Sequence, residues 1–368
     1  MQTIRFKTST KDDHFYQALR TRVEAYLRTQ PSGPYGNATM LLKALVYLPL
    51  YWGLYTLALF GECSDGGFIL AYTLLGMAGL LIAFNLSHDA VHDSLTPSKL
   101  LNKTIYYLTF NALGTNAYLW GIRHNQSHHL YPNVDDCDAD IDSNFLIRLS
   151  PNRPLLRHHR WQFLYAPLLY AVYTLHWVLI KDLMYLRRKN LANLRNMRHP
   201  WYEVLGFFVA KFVYIAYLIA APHYVAGYSW GVVLAGFVAY HIAMSYCFLF
   251  TNIMNHHSQE AAFPARDADG FLPGSWATHQ MDTCLDFYPT SKVWNFFFGG
   301  FNAHCAHHLF PRVCHVHYTY ISKIIIETAA EYGVPHKQAG WWYSLKSHFR
   351  HLYDLGHIPP QVALNIKP

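Results

Sequence analysis

Five long apolar segments limit what this chain can fold into more than any other feature. They are Ala44–Phe60, Phe68–Leu86, Phe163–Ile180, Val204–Ala221 and Trp230–Ile253. A helix needs about 20 apolar residues to cross a hydrocarbon core ~30 Å thick, and each segment is near that length. Backbone in lipid must satisfy its own hydrogen bonds, so such segments become helices and not open sheets. The expected fold is therefore all-α and embedded in a membrane. Composition agrees: the 368 residues are 52% hydrophobic and only 14% charged. That excludes a disordered chain. Six cysteines without framework spacing exclude a disulfide-stapled one.

Loop charges set the expected topology. Gly61–Gly67 and Pro222–Ser229 contain no Lys or Arg, whereas Lys181–Pro200 carries Lys181, Arg187, Arg188, Lys189, Arg195 and Arg198. Cationic loops stay cytosolic, as do the N-terminal Arg5, Lys7, Arg20, Arg22 and Arg28. Four transmembrane helices result, in two hairpins at 44–86 and 204–253. Phe163–Ile180 cannot cross without moving the basic loop outside, so it is read as interfacial or re-entrant. Ile105–Trp120, dotted with Thr and Asn, is read the same way. Residues 1–40 form an amphipathic cytosolic segment, with Phe15, Leu19 and Val23 at helical spacing. Residues 87–203 and 254–368 form a cytosolic, histidine-rich cap on one single domain, 1–368. The net charge of +7 lies in scattered cations. That pattern suits a membrane face and gives no sign of nucleic acid.

Histidine is the anomaly, at 24 residues, and nine fall in four clusters. These are His88/His92, His124/His128/His129, His256 (in Asn252–His256) and His304/His307/His308. Residues three and four apart on an α-helix share a face, so each cluster is expected to aim its imidazoles one way. Neutral imidazole ligates iron, zinc, copper or nickel. All four clusters fall at the cytosolic side under a topology derived from Lys and Arg alone. Nine nitrogens exceed one metal's capacity and suit two. A nitrogen-rich site with almost no carboxylate suggests iron poised for oxygen, with manganese, copper and zinc left open.

The order HxxxH, HxxxHH, NxxxH and HxxHH, interleaved with paired crossings, resembles the membrane fatty acid desaturases. The flanks "NLSHDAVHDS", "RHNQSHHLYPNVDDCDADID" and "GGFNAHCAHHLFP" resemble the acyl-CoA, linoleoyl-CoA type branch. The resemblance implies two Fe ions held by His88, His92, His124, His128, His129, His256, His304, His307 and His308. Asn252 matches the position that holds an iron through a water. It further implies O2 as co-substrate and removal of two hydrogens from a CoA-, carrier-protein- or lipid-linked acyl chain. Relatives that desaturate toward the carboxyl end usually carry Gln at the first position of the last box and a fused cytochrome b5 domain. Here His304 stands at that position and no His-Pro-Gly-Gly occurs. Electrons are thus expected from a separate ferredoxin, or from cytochrome b5 with its reductase. The expected location is a bacterial inner membrane in preference to the endoplasmic reticulum, with termini and metal site cytosolic.

Other residues carry weaker signals. Asp89 and Asp93 flank the first cluster, and Asp89 is read as a carboxylate orienting a ligand imidazole or as a solvated acid. Asp135, Asp136, Asp138, Asp140 and Asp142 are read as a solvated face, with donor docking or ligand support as the alternatives. Arg123, Arg148, Arg153, Arg157 and Arg160 stand where an anionic headgroup could be held. Lys211 lies inside an apolar segment, and His241 is read as a satisfied core residue. His315 and His317 are read as non-ligands. Cys305 is passed over because its neighbours supply the nitrogens. A hydroxylase, acetylenase or oxidative decarboxylase would share the same clusters. A membrane metal transporter would need its ligands within the crossings.

Overall fold

The computed structural model describes residues 4–142 and 145–360. Helix α1 spans Thr10–Arg28 and opens with a reciprocal Ser9/Asp12 cap. Four helices are long and apolar enough to cross a membrane: α2 (Ala38–Phe60), α3 (Asp65–Val91), α4 (Trp201–Tyr224) and α5 (Trp230–His256). Asn37, Ser64 and Ser229 cap the starts of α2, α3 and α5, each accepting from a backbone N–H of the first turn. Leu41, Leu45, Leu205, Phe208 and Phe212 on α2 and α4 face outward, which is costly in water and ordinary against acyl chains.

Short turns join α2 to α3 and α4 to α5, so the ends of α3 and α5 emerge on the same side. The two helices touch closely through glycine. A Cβ on Gly76 would stand 2.3 Å from the Tyr240 carbonyl oxygen. This contact brings His88 and His256, at the two helix ends, onto one face of the bundle.

Neither doubtful segment forms a straight span. Arg157–Ala171 and Tyr173–Arg187 meet at 65°. Ile105–Trp120 divides between helices Lys99–Ala112 and Ala117–Arg123. Each is too short to cross alone.

The cap encloses the α3 and α5 ends. Helix α1 buries Phe15, Leu19 and Val23 against Ile321 and Ile325. Burial of such side chains contributes roughly 1.5–3 kcal/mol each. Strand β1 (Arg5–Lys7) pairs in parallel with β2 (Phe271–Pro273), and β3 (Asp286–Phe287) with β4 (Gln338–Ala339). The N-terminal segment is therefore part of the cap.

Candidate metal centre

Local structure explains how each histidine arrives. A π-helical turn, Ala83–Ser87, precedes His88, and a second, His124–His128, makes up most of the second cluster. Such turns frequently mark functional sites. The second alters the one-face expectation. His124 joins His88, His92 and His307 in one group, while His128 joins His256, His304 and His308 in another. His129 stands between them, grouped with His307 and His308 and with its Nε2 3.0 Å from that of His124. The last cluster divides as well. The metal groups therefore cut across the sequence clusters. Gly299 and Gly300 deliver that last cluster. Gly299, at φ 57°, passes so near the Phe84 carbonyl that a Cβ would stand 2.2 Å from it.

All nine imidazoles are more than nine-tenths buried. Burial first, and then mutual repulsion, holds His92, His124, His129, His304, His307 and His308 well below the usual histidine range. They are neutral. His128 differs: burial lowers it, but Asp138 and Asp140 outweigh this and leave it raised.

The second group shows why a cation belongs here. His256 Nδ1 donates to the Thr283 carbonyl (2.9 Å) and His308 Nδ1 to Gln280 Oε1 (2.8 Å). His128 Nδ1 donates to Asp138 at 3.1 Å. A neutral imidazole carries one N–H, so the Nε2 atoms of His256 and His308 present bare lone pairs, and His128 Nε2 would do so on giving up its second proton to a metal. Those of His256 and His308 are only 3.0 Å apart, and His304 Nε2 lies 2.8 and 3.2 Å from the two. Metal–nitrogen bonds of about 2.0–2.1 Å at right angles place ligand atoms about 3 Å apart. The first group fits as well. His124 Nε2 lies 3.1 Å from His92 Nε2, and the Nε2 atoms of His88 and His307 are buried without partners.

His315, His317 and His241 are placed as expected, whereas several other flanking residues are not. Asp89 orients no ligand. It accepts from His315 Nδ1 (2.8 Å) and the Cys314 thiol (2.8 Å), and Lys43 Nζ contacts His315 Nε2 at 2.7 Å. His315 and His317 lie outside both groups, His317 bonding Tyr26 and the Tyr35 carbonyl. The acidic run is not a solvated face. Asp138 grips His128, Asp135 accepts from Arg153, Ser150 and Asn152, and Asp142 pairs with Arg188. Arg148 is buried and donates four of its five N–H groups to the carbonyls of Pro151, Arg153, Leu355 and Ile358, which ties it to the cap and away from a headgroup. Lys211 pairs with Asp182 at 2.7 Å, and His241 is satisfied by Thr174 and Tyr214. Asn252 is half-buried, one turn before His256. Gln280 and Tyr318, whose hydroxyl lies 3.4 Å from His307 Nδ1, carry no spacing signal and were not anticipated.

On the membrane side of His88 lies a narrow apolar slot of about 40 Å³, bordered by Trp120, Phe301, Phe84 and Leu113. Leu113 also lines a larger apolar cavity of about 650 Å³ between α2 and Lys99–Ala112. Four spanning helices, nine converging imidazoles and an apolar slot define a class: a membrane enzyme built to hold metal beside a hydrocarbon chain.

The family follows from sequence comparison. A family model described as "Fatty acid desaturase" matches residues 66–340. The chain is 30% identical to an sn-1 linoleoyl-lipid 6-desaturase of Arthrospira platensis, over 89% of this chain and 88% of that one. It is 29% identical to an acyl-lipid (8-3)-desaturase of Physcomitrium patens, over 96% of this chain and 74% of that one. It is 27% identical to an sn-1 linoleoyl-lipid 6-desaturase of Synechocystis, over 89% and 91%. The chain belongs to the fatty acid desaturase family and is an oxidoreductase acting as a fatty acyl desaturase.

Proposed function

We propose that this enzyme holds two iron ions, one in each histidine group, and uses O2 to place a cis double bond in a lipid-linked acyl chain. The overall balance is –CH2–CH2– plus O2, two electrons and two protons, giving –CH=CH– and two waters. The observation that carries the reading is the convergence of bare Nε2 lone pairs in two adjacent groups, beside an apolar slot. The irons would supply the oxidising power that no side chain has. His88, His92, His124 and His307 would hold one. His128, His256, His304 and His308 would hold the other, with His129 between them and Asn252 reaching through a water. The chain's own residues do the positioning. Trp120, Phe301 and Leu113 fix which carbons lie next to His88 and exclude water from them. Asp138, Gln280 and the Thr283 carbonyl hold three rings in the tautomer that leaves Nε2 free.

Lipid linkage is supported by the names of the relatives. Electrons would come from a separate ferredoxin or cytochrome b5. The basic loop 181–200 supports a cytosolic metal site and cytosolic termini.

The test is expression in a host with simple lipids, followed by mass spectrometry of derivatised acyl chains and metal analysis of the purified protein. A new olefin of unchanged chain length and two irons are expected, and position 6 is the first place to look. A hydroxylated or shortened product would overturn desaturation, and zinc without iron would overturn the di-iron reading.

A further inference from the structure

Behind the last histidine cluster lies a second set of metal-ligating side chains that the nine-histidine centre does not use. A carboxylate oxygen of Asp286, the Sγ of Cys305 and a ring nitrogen of His336 lie within 4.8 Å of one another. A second buried cysteine, Cys284, belongs to the same packed cluster as Cys305. Cys284, Cys305 and Asp286 are fully buried, and the His336 side chain is 6% exposed. The four come from three separated stretches. Asp286 opens β3 and Cys284 stands two residues before it, Cys305 is on the helix His304–Leu309, and His336 precedes β4. The parallel β3–β4 pairing, with Asp286 N–H donating to the Lys337 carbonyl at 3.0 Å, fixes His336 against Asp286.

We propose that Cys284, Asp286, Cys305 and His336 bind one structural zinc ion. Asp286, Cys305 and His336 supply three positions of a tetrahedral set, and the Cys284 thiol would turn in to fill the fourth. Zinc bonds of about 2.0–2.3 Å place such ligand atoms roughly 3.3–3.8 Å apart, within the 4.8 Å that bounds the Asp286, Cys305 and His336 atoms. The His336 ring has capacity to spare. Its Nε2 meets Asp286 Oδ2 at 2.9 Å, while its Nδ1 is buried with no partner. Thiolates favour zinc, and a redox-inert ion suits a place one residue from His304. Binding displaces the two thiol protons and the proton between Asp286 and His336, with no change of oxidation state. The consequence is mechanical. Zinc would tie the β3–β4 corner to the helix bearing His304, His307 and His308, clamping the cluster that feeds both metal groups.

The test is metal analysis of the full-length purified protein from zinc-supplied cells. One zinc per chain is expected besides the iron. Cys284→Ser and His336→Gln, both outside the histidine clusters, should each lose the zinc and keep the iron. Cobalt loading gives a second reading that does not depend on the iron. Sulfur ligation produces a thiolate-to-cobalt charge-transfer band, which nine nitrogens cannot produce. Cys284→Ser and Cys305→Ser should weaken or abolish that band. Wild-type protein without zinc, zinc retained in both variants, or cobalt loading without the sulfur band would each overturn the proposal. Iron content reads out the di-iron centre separately, so failure of one reading is distinguishable from failure of the other.

Discussion

The two histidine groups hold the same kind of ligand and are supported differently. In the second group, three of four rings are pinned from behind: His128 by Asp138, His256 by the Thr283 carbonyl and His308 by Gln280. In the first group, among the described residues, only His307 has a polar partner behind it, the Tyr318 hydroxyl at 3.4 Å. Aromatic faces take the place of hydrogen bonds there. Trp120 stacks on His124 at 4.2 Å, and Phe301 packs on His88 at 4.6 Å. The same two aromatics wall the apolar slot. The difference teaches a division of labour. The group facing the hydrocarbon is framed by apolar surface that can also hold a chain, and the group facing the cap is framed by polar groups that fix tautomers.

Removing a ligand from either group breaks both halves of the comparison, and it has the largest effect. His88→Ala and His304→Ala should each abolish product, measured as olefin per unit of enzyme, with loss of at least one metal per chain. Removing a support should separate the groups. Asp138→Asn should cost about 10–100-fold in metal retention or activity, as loss of a group behind a ligand histidine does. Tyr318→Phe, behind the other group, should cost only a few-fold. Equal losses would erase the asymmetry.

Acid should act on both groups together. The six neutral histidines named above sit below the unfolded value of 6.5, so their contribution to stability is present above that pH. As pH falls through 6.5, the unfolded chain binds protons that the fold refuses, and metal must compete with them. Thermal melts of metal-free protein should therefore weaken steadily below about pH 6.5. His128 opposes this trend, because Asp138 and Asp140 raise it. Asp138→Asn should steepen the loss.

The smallest effect on metal binding belongs to the slot. Leu113→Phe narrows it without touching a ligand. It should change kcat/KM or the product distribution by about ten-fold, the scale of one or two misplaced methylenes, with metal content unchanged.

Much of this was legible in the residues. Segment length offered five candidate crossings, and the positions of Lys and Arg reduced them to four and paired their ends. The nine imidazoles stood out because four clusters met on one side. Tautomer and grouping were not legible. A π-turn at His124–His128 sends neighbouring rings to different groups, and no spacing rule for an α-helix foresees it. Asp138 was one of five similar acids, and Gln280 lies 28 positions from the ring it holds. Asp89, beside His88, turned to His315 because the chain folds back 226 residues later.

The sequence by itself determined that the chain is helical, crosses a membrane and gathers histidine at one face. Hydropathy and charge act along the chain, one segment at a time, and each segment carries its own signal. Only the tertiary structure decided which rings stand in one group, which nitrogen each ring offers, and that Asp286, Cys305 and His336 converge. Those outcomes depend on contacts between residues far apart in sequence, where no local pattern constrains direction or distance.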